Sequence, residues 1–375
     1  MQYMPIPSPH TFPRRILVAV EAYSPQTITE ALYALTQTSE PAYIPTEIHI
    51  ITTERGCDLV QQALVHNGWL LRLCQDYGLP MTCTTPVFHL ITDHQNKVLW
   101  DVRSEQDNEH TADFISHCLQ QFTADPTSSL CALLSGGRRT MTYYIGYALS
   151  LFGRPQDRLK HVLVDDCYFF LKDFYYPPPQ TCWLKDRDGA DFDASAVNVT
   201  LADIPFVRLR DGLPSDLLEG SSTFSATIAA AQRGFDLPKV HFDWKRAALT
   251  CGGIPVAMQP VQLAFYVWML ERRMRELPPI HWTDSETPSL ATQFLGIYAR
   301  LHGENGSFEQ VAHALKGGMN KAWFDERKSN THKVLKKILG VAGAKPYLLQ
   351  AHGSRPVTRF GITLPAASLM FTMCT

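Results

Sequence analysis

At 375 residues the chain is long for one compact core, and a composition of 45% hydrophobic and 19% charged residues excludes disorder, so two folded domains are expected. No apolar run approaches the roughly 20 residues of a membrane span, and the proline-rich start, Met1 to Pro13, carries no basic-then-apolar export pattern. The formal net charge of -2 hides a division: residues 1–238 hold 17 Lys and Arg against 27 Asp and Glu, a net of -10, and residues 239–375 hold 17 against 9, a net of +8.

In chain order, Arg15 to Val20 reads as a buried strand, followed by a helix that starts at Ser24-Pro25-Gln26 with proline just inside it. Glu47 to Thr52 is a second strand, and Asp58 to Cys74 has helical spacing. A strand at Pro86 to Thr92 precedes a polar stretch that fits a hairpin, and Thr111 to Phe122 is an amphipathic helix. Leu130 to Leu134 runs straight into Ser135-Gly136-Gly137-Arg138-Arg139-Thr140, Met141 to Phe152 returns to helical periodicity, and His161 to Val164 is a further strand. Alternation of this kind predicts a Rossmann-like α/β domain over residues 1–238, a mostly parallel sheet with flanking helices. The pattern breaks around residues 165–200, where Phe174 to Pro179 and a polar run suggest an insertion or lid.

After a helix at Thr223 to Arg233 and a break at Gly234 to Pro238, residues 239–375 read differently. Val240 to Leu249 and Ile254 to Met258 flank Cys251-Gly252-Gly253 as a hairpin, and Val261 to Met274, Gln293 to Leu301 and a basic Ser329 to Leu339 are helices. Tyr347 to Leu349 and Phe360 to Leu364 form a second hairpin. These are the parts of a winged helix-turn-helix domain. Within it Lys321 to Gly361 holds nine positive and two acidic residues. Lys328, Lys333, Lys336, Lys337, Arg355 and Arg359 are the candidate contacts to duplex DNA, although a charge run also fits a solvated face.

The nine cysteines are scattered with no Cys-x-x-Cys pair, and the fourteen histidines form no zinc spacing. Reduced thiols in a cytoplasmic protein, no metal site and no cofactor are expected. The turn after the fourth strand has its own chemistry. Two glycines let the backbone approach a ligand, the next helix offers unpaired N–H groups, and Arg138 and Arg139 add phosphate donors. A tight turn with exposed arginines is the plainer alternative. Parallel winding places Ser24-Pro25-Gln26, Thr52-Thr53-Glu54 and Ser135 to Thr140 on one rim, so they are the candidate ligand-binding residues. Ser24 could instead cap its helix.

The segments Arg14-Arg15-Ile16-Leu17, Ser24-Pro25-Gln26, Thr29 to Leu35, Thr52 to Gly56 and Ser135 to Met141, with Gly146 to Leu159, resemble the CRISPR-associated Rossmann-fold (CARF) proteins of type III systems. The likeness is to their ring-nuclease subgroup. It extends through Phe174 to Pro179 and more loosely to Lys345-Pro346-Tyr347 and Arg359-Phe360-Gly361. Where the family pattern usually has Lys, this chain has Arg139, and an uncharged small residue is usual near Glu21. The resemblance implies a homodimer that holds a cyclic oligoadenylate, cyclic tetra-adenylate being favoured, across its twofold axis. It also implies metal-free cleavage by a ribose 2'-hydroxyl to a 2',3'-cyclic phosphate, with Ser24, Arg138 and Arg139 as the catalytic residues.

Two alternatives stay open. One is a messenger-responsive transcriptional regulator or adaptor that does not cleave. The other is a HEPN-type ribonuclease, whose Arg-x4-His spacing occurs at Arg327 and His332.

Overall fold

The computed structural model describes residues 8–165, 171, 173–186, 188–214, 217–218, 222–233, 237–281, 287–303, 306–353 and 358–372. The chain forms two compact units, one of Met1–Arg210 with Leu218–Thr227 and one of Asp211–Leu217 with Ile228–Thr375. The division falls inside the helix Phe224–Arg233, where the sequence placed it at the Gly234–Pro238 break. Phe224 lies against Tyr144 and Tyr147, ring centroids 5.2 and 5.5 Å apart, while Ala230 and Ala231 are also buried.

The first unit carries a sheet of strands β1 (Arg14–Val20), β2 (Glu47–Thr52), β3 (Val87–Leu90), β4 (Ser128–Leu133), β5 (Arg158–Val164) and β8 (Val199–Asp203). Their spatial order is β3-β2-β1-β4-β5-β8, parallel throughout except for the antiparallel edge strand β8. The helices are α1 (Gln26–Tyr33), α2 (Glu54–Gln61), α3 (Trp69–Tyr77), α4 (Glu105–Phe122) and α5 (Arg139–Phe152). Leu17 and Ala19 of β1 join a core with Ile28 and Leu32 of α1 and Leu70 and Leu73 of α3. Ile16, Val18 and Val20 are equally buried on the other face, so β1 is covered on both sides, as its unbroken apolar run requires. Ser104 starts α4 with a capping box: its hydroxyl accepts the Asp107 N–H at 3.0 Å and the Asp107 carboxylate accepts the Ser104 N–H at 2.9 Å. From β1 the chain winds outward through β2 to β3, then returns to the other side of β1 with β4. The crevice between β1 and β4 is therefore the topological switch point, where ligands of open α/β sheets bind.

The stretch of residues 165–200, expected to be an insertion or lid, packs in part on the core of the first unit. Phe174, Tyr175 and Tyr176 belong to the core, Tyr175 stacks on Trp69 at 4.2 Å, and the Tyr176 hydroxyl donates to Asp76 at 2.8 Å. The triple proline hid this, because the aromatics before it pack without forming a regular element. A small hairpin, β6 (Trp183–Lys185) with β7 (Asp191–Asp193), leads on to β8.

In the second unit, α6 (Phe224–Arg233), of which the part from Ile228 belongs to this unit, is followed by β9 (Val240–Asp243), β10 (Ala248–Cys251) and β11 (Ile254–Pro255). The stretch Val240 to Leu249, read from sequence as one strand, is a hairpin, because Asp243 accepts the N–H groups of Lys245 and Arg246 and turns the chain. Gly252 and Gly253, at φ 57° and 77°, make the two-residue turn from β10 to β11 that only positive φ at both positions permits. Helices α7 (Pro260–Met274), α8 (Thr287–His302), α9 (Gly306–Ala314), α10 (Lys321–Leu339) and α11 (Val341–Ala344) follow. Every residue of α7 from Leu263 to Glu271 is buried, and its Phe265 joins Phe294 and Phe324 in one core cluster. A hairpin of β12 (Gln350–His352) and β13 (Arg359–Gly361) comes after α11, and β14 (Leu369–Thr372) then pairs in parallel with β9.

Candidate functional site

The switch point is organised by one carboxylate. Glu21, the first residue beyond β1, is fully buried. Its Oε1 accepts the N–H groups of Ala22, Tyr23 and Ser24 at 2.8, 3.0 and 2.8 Å. Its Oε2 accepts the Thr27 hydroxyl and the Gly136 N–H, both at 2.8 Å. Burial raises its pKa against the opposing pull of these hydrogen bonds. A Cβ on residue 136 would overlap the carboxylate, so glycine is required there. The Ser135 hydroxyl donates to the Val20 carbonyl at 2.7 Å and ties the same two loops together. Apart from an unexpected acid at position 21, this knot leaves no mark in the sequence.

The N–H groups of Ala22, Tyr23, Ser24 and Gly136 are thus already engaged inside the protein. What remains open is the start of α5. Gly137 turns the chain at φ 101°, Arg138 is the N-cap, and the N–H groups of Arg139 and Thr140 have no partner among the described residues. Arg139 is exposed and makes no ion pair among the described residues. Ser24 does not cap α1, whose N-cap is Pro25 without a side-chain bond, and the Ser24 hydroxyl has no partner among the described residues. Ser24 and Gly136 share Glu21, so the free hydroxyl and the open helix start are held on one scaffold.

Arg138 is held in turn by Asp101, which donates nothing and accepts from Arg138 Nη2 at 2.5 Å and Nε at 3.3 Å. The Tyr23 hydroxyl also donates to Asp101 at 2.9 Å, and Arg55 and Arg103 stand 3.9 Å away. Burial pushes the Asp101 carboxyl up, but the bonds from Arg138, Tyr23 and the Val102 N–H outweigh it, and its pKa lies below the usual range. Sequence reading missed Tyr23, Trp100, Asp101 and Arg103, because no motif spacing links residues that meet only across strand ends.

Thr52 and Thr53, expected to touch ligand, are buried. The Thr53 hydroxyl caps α2 by accepting the Gly56 N–H at 3.3 Å. Glu54 remains exposed in the first turn of α2, and its N–H donates to the Leu99 carbonyl at 3.0 Å. The described members of the rim set therefore converge at β1 and β4, while the β2 end is structural apart from Glu54 and Arg55.

The family model for CRISPR-associated protein NE0113 matches residues 24–235, more than half of the chain and nearly all of this site.

The chain belongs to that family.

No curated protein matches this NE0113-family sequence. Among solved structures it is similar to "a Type III CRISPR defence DNA nuclease activated by cyclic oligoadenylate", at 16% identity over 82% of this chain and 34% of that one, TM-score 0.24. It is also similar to Enterococcus italicus Csm6 bound to cyclic hexa-2'-fluoro-hexa-dAMP, at 11% identity over 86% of this chain and 58% of that one, TM-score 0.26. TM-scores this low define no common fold, and the NE0113-family chain spans less than two thirds of either structure.

The basic residues of the second unit divide. Lys333, Lys336 and Lys337 are exposed on α10 at spacings of three and four, hence on one face. Lys328 is packed, paired with Asp325 at 2.7 Å and lying 3.6 Å from the Phe360 ring centroid. Arg359 donates to the Pro279 carbonyl at 3.1 Å. Arg355 lies outside the described residues. His332, the histidine of the Arg-x4-His spacing, accepts the Leu349 N–H on Nε2 at 3.0 Å. Burial, with Lys328 and Lys336 beside it, pushes its pKa down to about 4. In this structure the Nε2 of His332 is thus taken up by the backbone that follows α11.

Among the described residues no group of three or more His, Cys, Asp or Glu is arranged to hold a metal ion, and no helix is long and apolar enough to cross a membrane. No disulfide occurs among the described cysteines, of which only Cys182 is exposed.

Proposed function

We propose that this CRISPR-associated chain acts in a type III system as a CARF protein of the ring-nuclease kind. It binds cyclic oligoadenylate at the β1–β4 switch point of a homodimer and cleaves it without a metal. The observation that carries the reading is the open N-terminus of α5, flanked by Arg138 and Arg139 and fixed to the loop of Ser24 by the Glu21 carboxylate. An anion at that helix start gains the unpaired N–H groups and two guanidinium charges. A twofold axis would present two such sites to a ring of phosphates.

In the proposed reaction the ribose 2'-oxygen attacks the adjacent phosphorus, the bond to the 5'-oxygen breaks, and a 2',3'-cyclic phosphate and a 5'-hydroxyl are left. The Ser24 hydroxyl orients the ribose, while Arg138, Arg139 and the helix start stabilise charge on the phosphoryl oxygens. Asp101 keeps Arg138 in place before ligand arrives. The second unit acts as a winged helix, with α10 as its recognition helix and β12–β13 as its wing.

Incubation with cyclic tetra-adenylate and cyclic hexa-adenylate, followed by separation of products, tests the reading. Linear products ending in a 2',3'-cyclic phosphate are expected, with turnover unchanged by EDTA. A ring that binds and is recovered intact would make the protein a sensor, and a ring that does not bind would dismiss the site.

A further inference from the structure

The rim carries an alternation that the phosphate reading does not use. Arg103 lies over the Trp100 ring at 4.1 Å, and Arg55 lies 5.2 Å from Trp100 and 5.3 Å from Tyr23. Arg138 is 5.7 Å from the far side of this series, at the Tyr23 ring. These residues follow the strand order. Trp100 and Arg103 come after β3, Arg55 after β2, Tyr23 after β1 and Arg138 after β4, and the sheet runs β3-β2-β1-β4. Neighbouring strands lie about 4.8 Å apart, so each strand end contributes one rung.

The ladder is anchored from below. Asp101 draws the three arginines together, and the carbonyls of Leu99 and Trp100 accept the N–H groups of Glu54 and Arg55 at 3.0 and 3.2 Å. Beside these arginines both rings remain partly exposed: Trp100 is 46% exposed and Tyr23 37%, between neighbours Leu99, Asp101 and Ala22 that are almost completely buried. Two large rings held at the surface by buried flanks, each beside guanidinium groups in excess over one carboxylate, make a surface that alternates π faces with positive charge. That is the chemistry of single-stranded nucleic acid recognition, in which bases stack on rings and phosphates meet arginines.

We propose that Trp100 and Tyr23 hold adenine bases of the ligand whose phosphate sits at the start of α5, with Arg55 and Arg103 meeting its remaining phosphates. This rests on the cyclic oligoadenylate reading and adds a base-reading surface to it. Trp100 is then a specificity residue, set apart from the residues that orient the reacting ribose.

The test compares Trp100→Phe with Trp100→Leu in the full chain, both of which keep an apolar side chain, with binding of cyclic tetra-adenylate and cyclic hexa-adenylate measured by calorimetry. Trp100→Leu should weaken binding about 5- to 100-fold and Trp100→Phe far less, since only phenylalanine retains a ring. Equal affinity in wild type and both variants overturns the stacking inference and leaves the phosphate reading standing. Equal weakening in the two variants also overturns it, because the loss would then not track the ring. Failure of the wild type to bind either ring removes both.

Discussion

Glu30 on α1 is nearly buried and its carboxyl has no hydrogen bond among the described residues; burial, with Glu21 nearby, raises its pKa to about 8. Its folded value lies above its unfolded value near 4.5, so the fold is least penalised below pH 4.5 and loses stability as pH rises through about 8. Glu30→Gln should therefore stabilise the protein by a few kcal/mol at pH 8 to 9, on the order of 4, and by much less at pH 5. Denaturant midpoints across that range decide it, and a gain that did not grow with pH would refute the assignment. At the neighbouring knot, Gly136→Ala forces a methyl into the Glu21 carboxylate and should cost about 3 kcal/mol, read from the same kind of titration. Arg138→Ala removes a charge-assisted phosphate contact of about 1.5 to 3 kcal/mol, so ring affinity should fall about 10- to 100-fold. Ser24→Ala should lower turnover more than affinity, which single-turnover assays on both variants can separate.

At the scale of elements, α10 offers a direct test of the winged-helix role. Lys333, Lys336 and Lys337 share one exposed face, so replacing all three with alanine should weaken duplex DNA binding by the full chain and flatten its salt dependence by about one unit of slope per lysine. Binding that is absent at low salt even in the wild type would reject a DNA role. The strands and helices of the first unit were legible because a parallel sheet buried on both faces writes its strands as apolar runs, as in Arg15 to Val20 and Leu130 to Leu134. Strand β8 was not, since an antiparallel edge strand of five residues leaves only a weak pattern. Thr52 and Thr53 illustrate the limit at the site: a strand-end hydroxyl looks the same in sequence whether it meets a ligand or caps the next helix. Arg138 and Arg139 could be found from the turn that carries them, but their buried partner Asp101 could not, because the chain makes that pairing only by laying the β3 end beside β4 across two other strands.

For the whole molecule, the proposed homodimer fixes a stoichiometry. Calorimetry should find one cyclic oligoadenylate per two chains, and sedimentation should find a dimer whether or not the ring is present. One ring per single chain would rule out a shared site on a twofold axis.

The way the chain threads its two units has a further consequence, for evolution and for protein engineering. It passes from the first unit to the second after Arg210, returns at Leu218, and leaves again within α6 after Thr227. No single break in the gene divides the protein cleanly. A fragment beginning at residue 239 lacks Asp211–Leu217 and the last turns of α6, which are part of the second unit, and one ending at residue 210 lacks Phe224 from the aromatic contact with Tyr144 and Tyr147. The second unit is therefore a poor interchangeable cassette: a swap between relatives that keeps both cores intact must carry residues 211 to the end together and keep Phe224 matched to the tyrosines of α5.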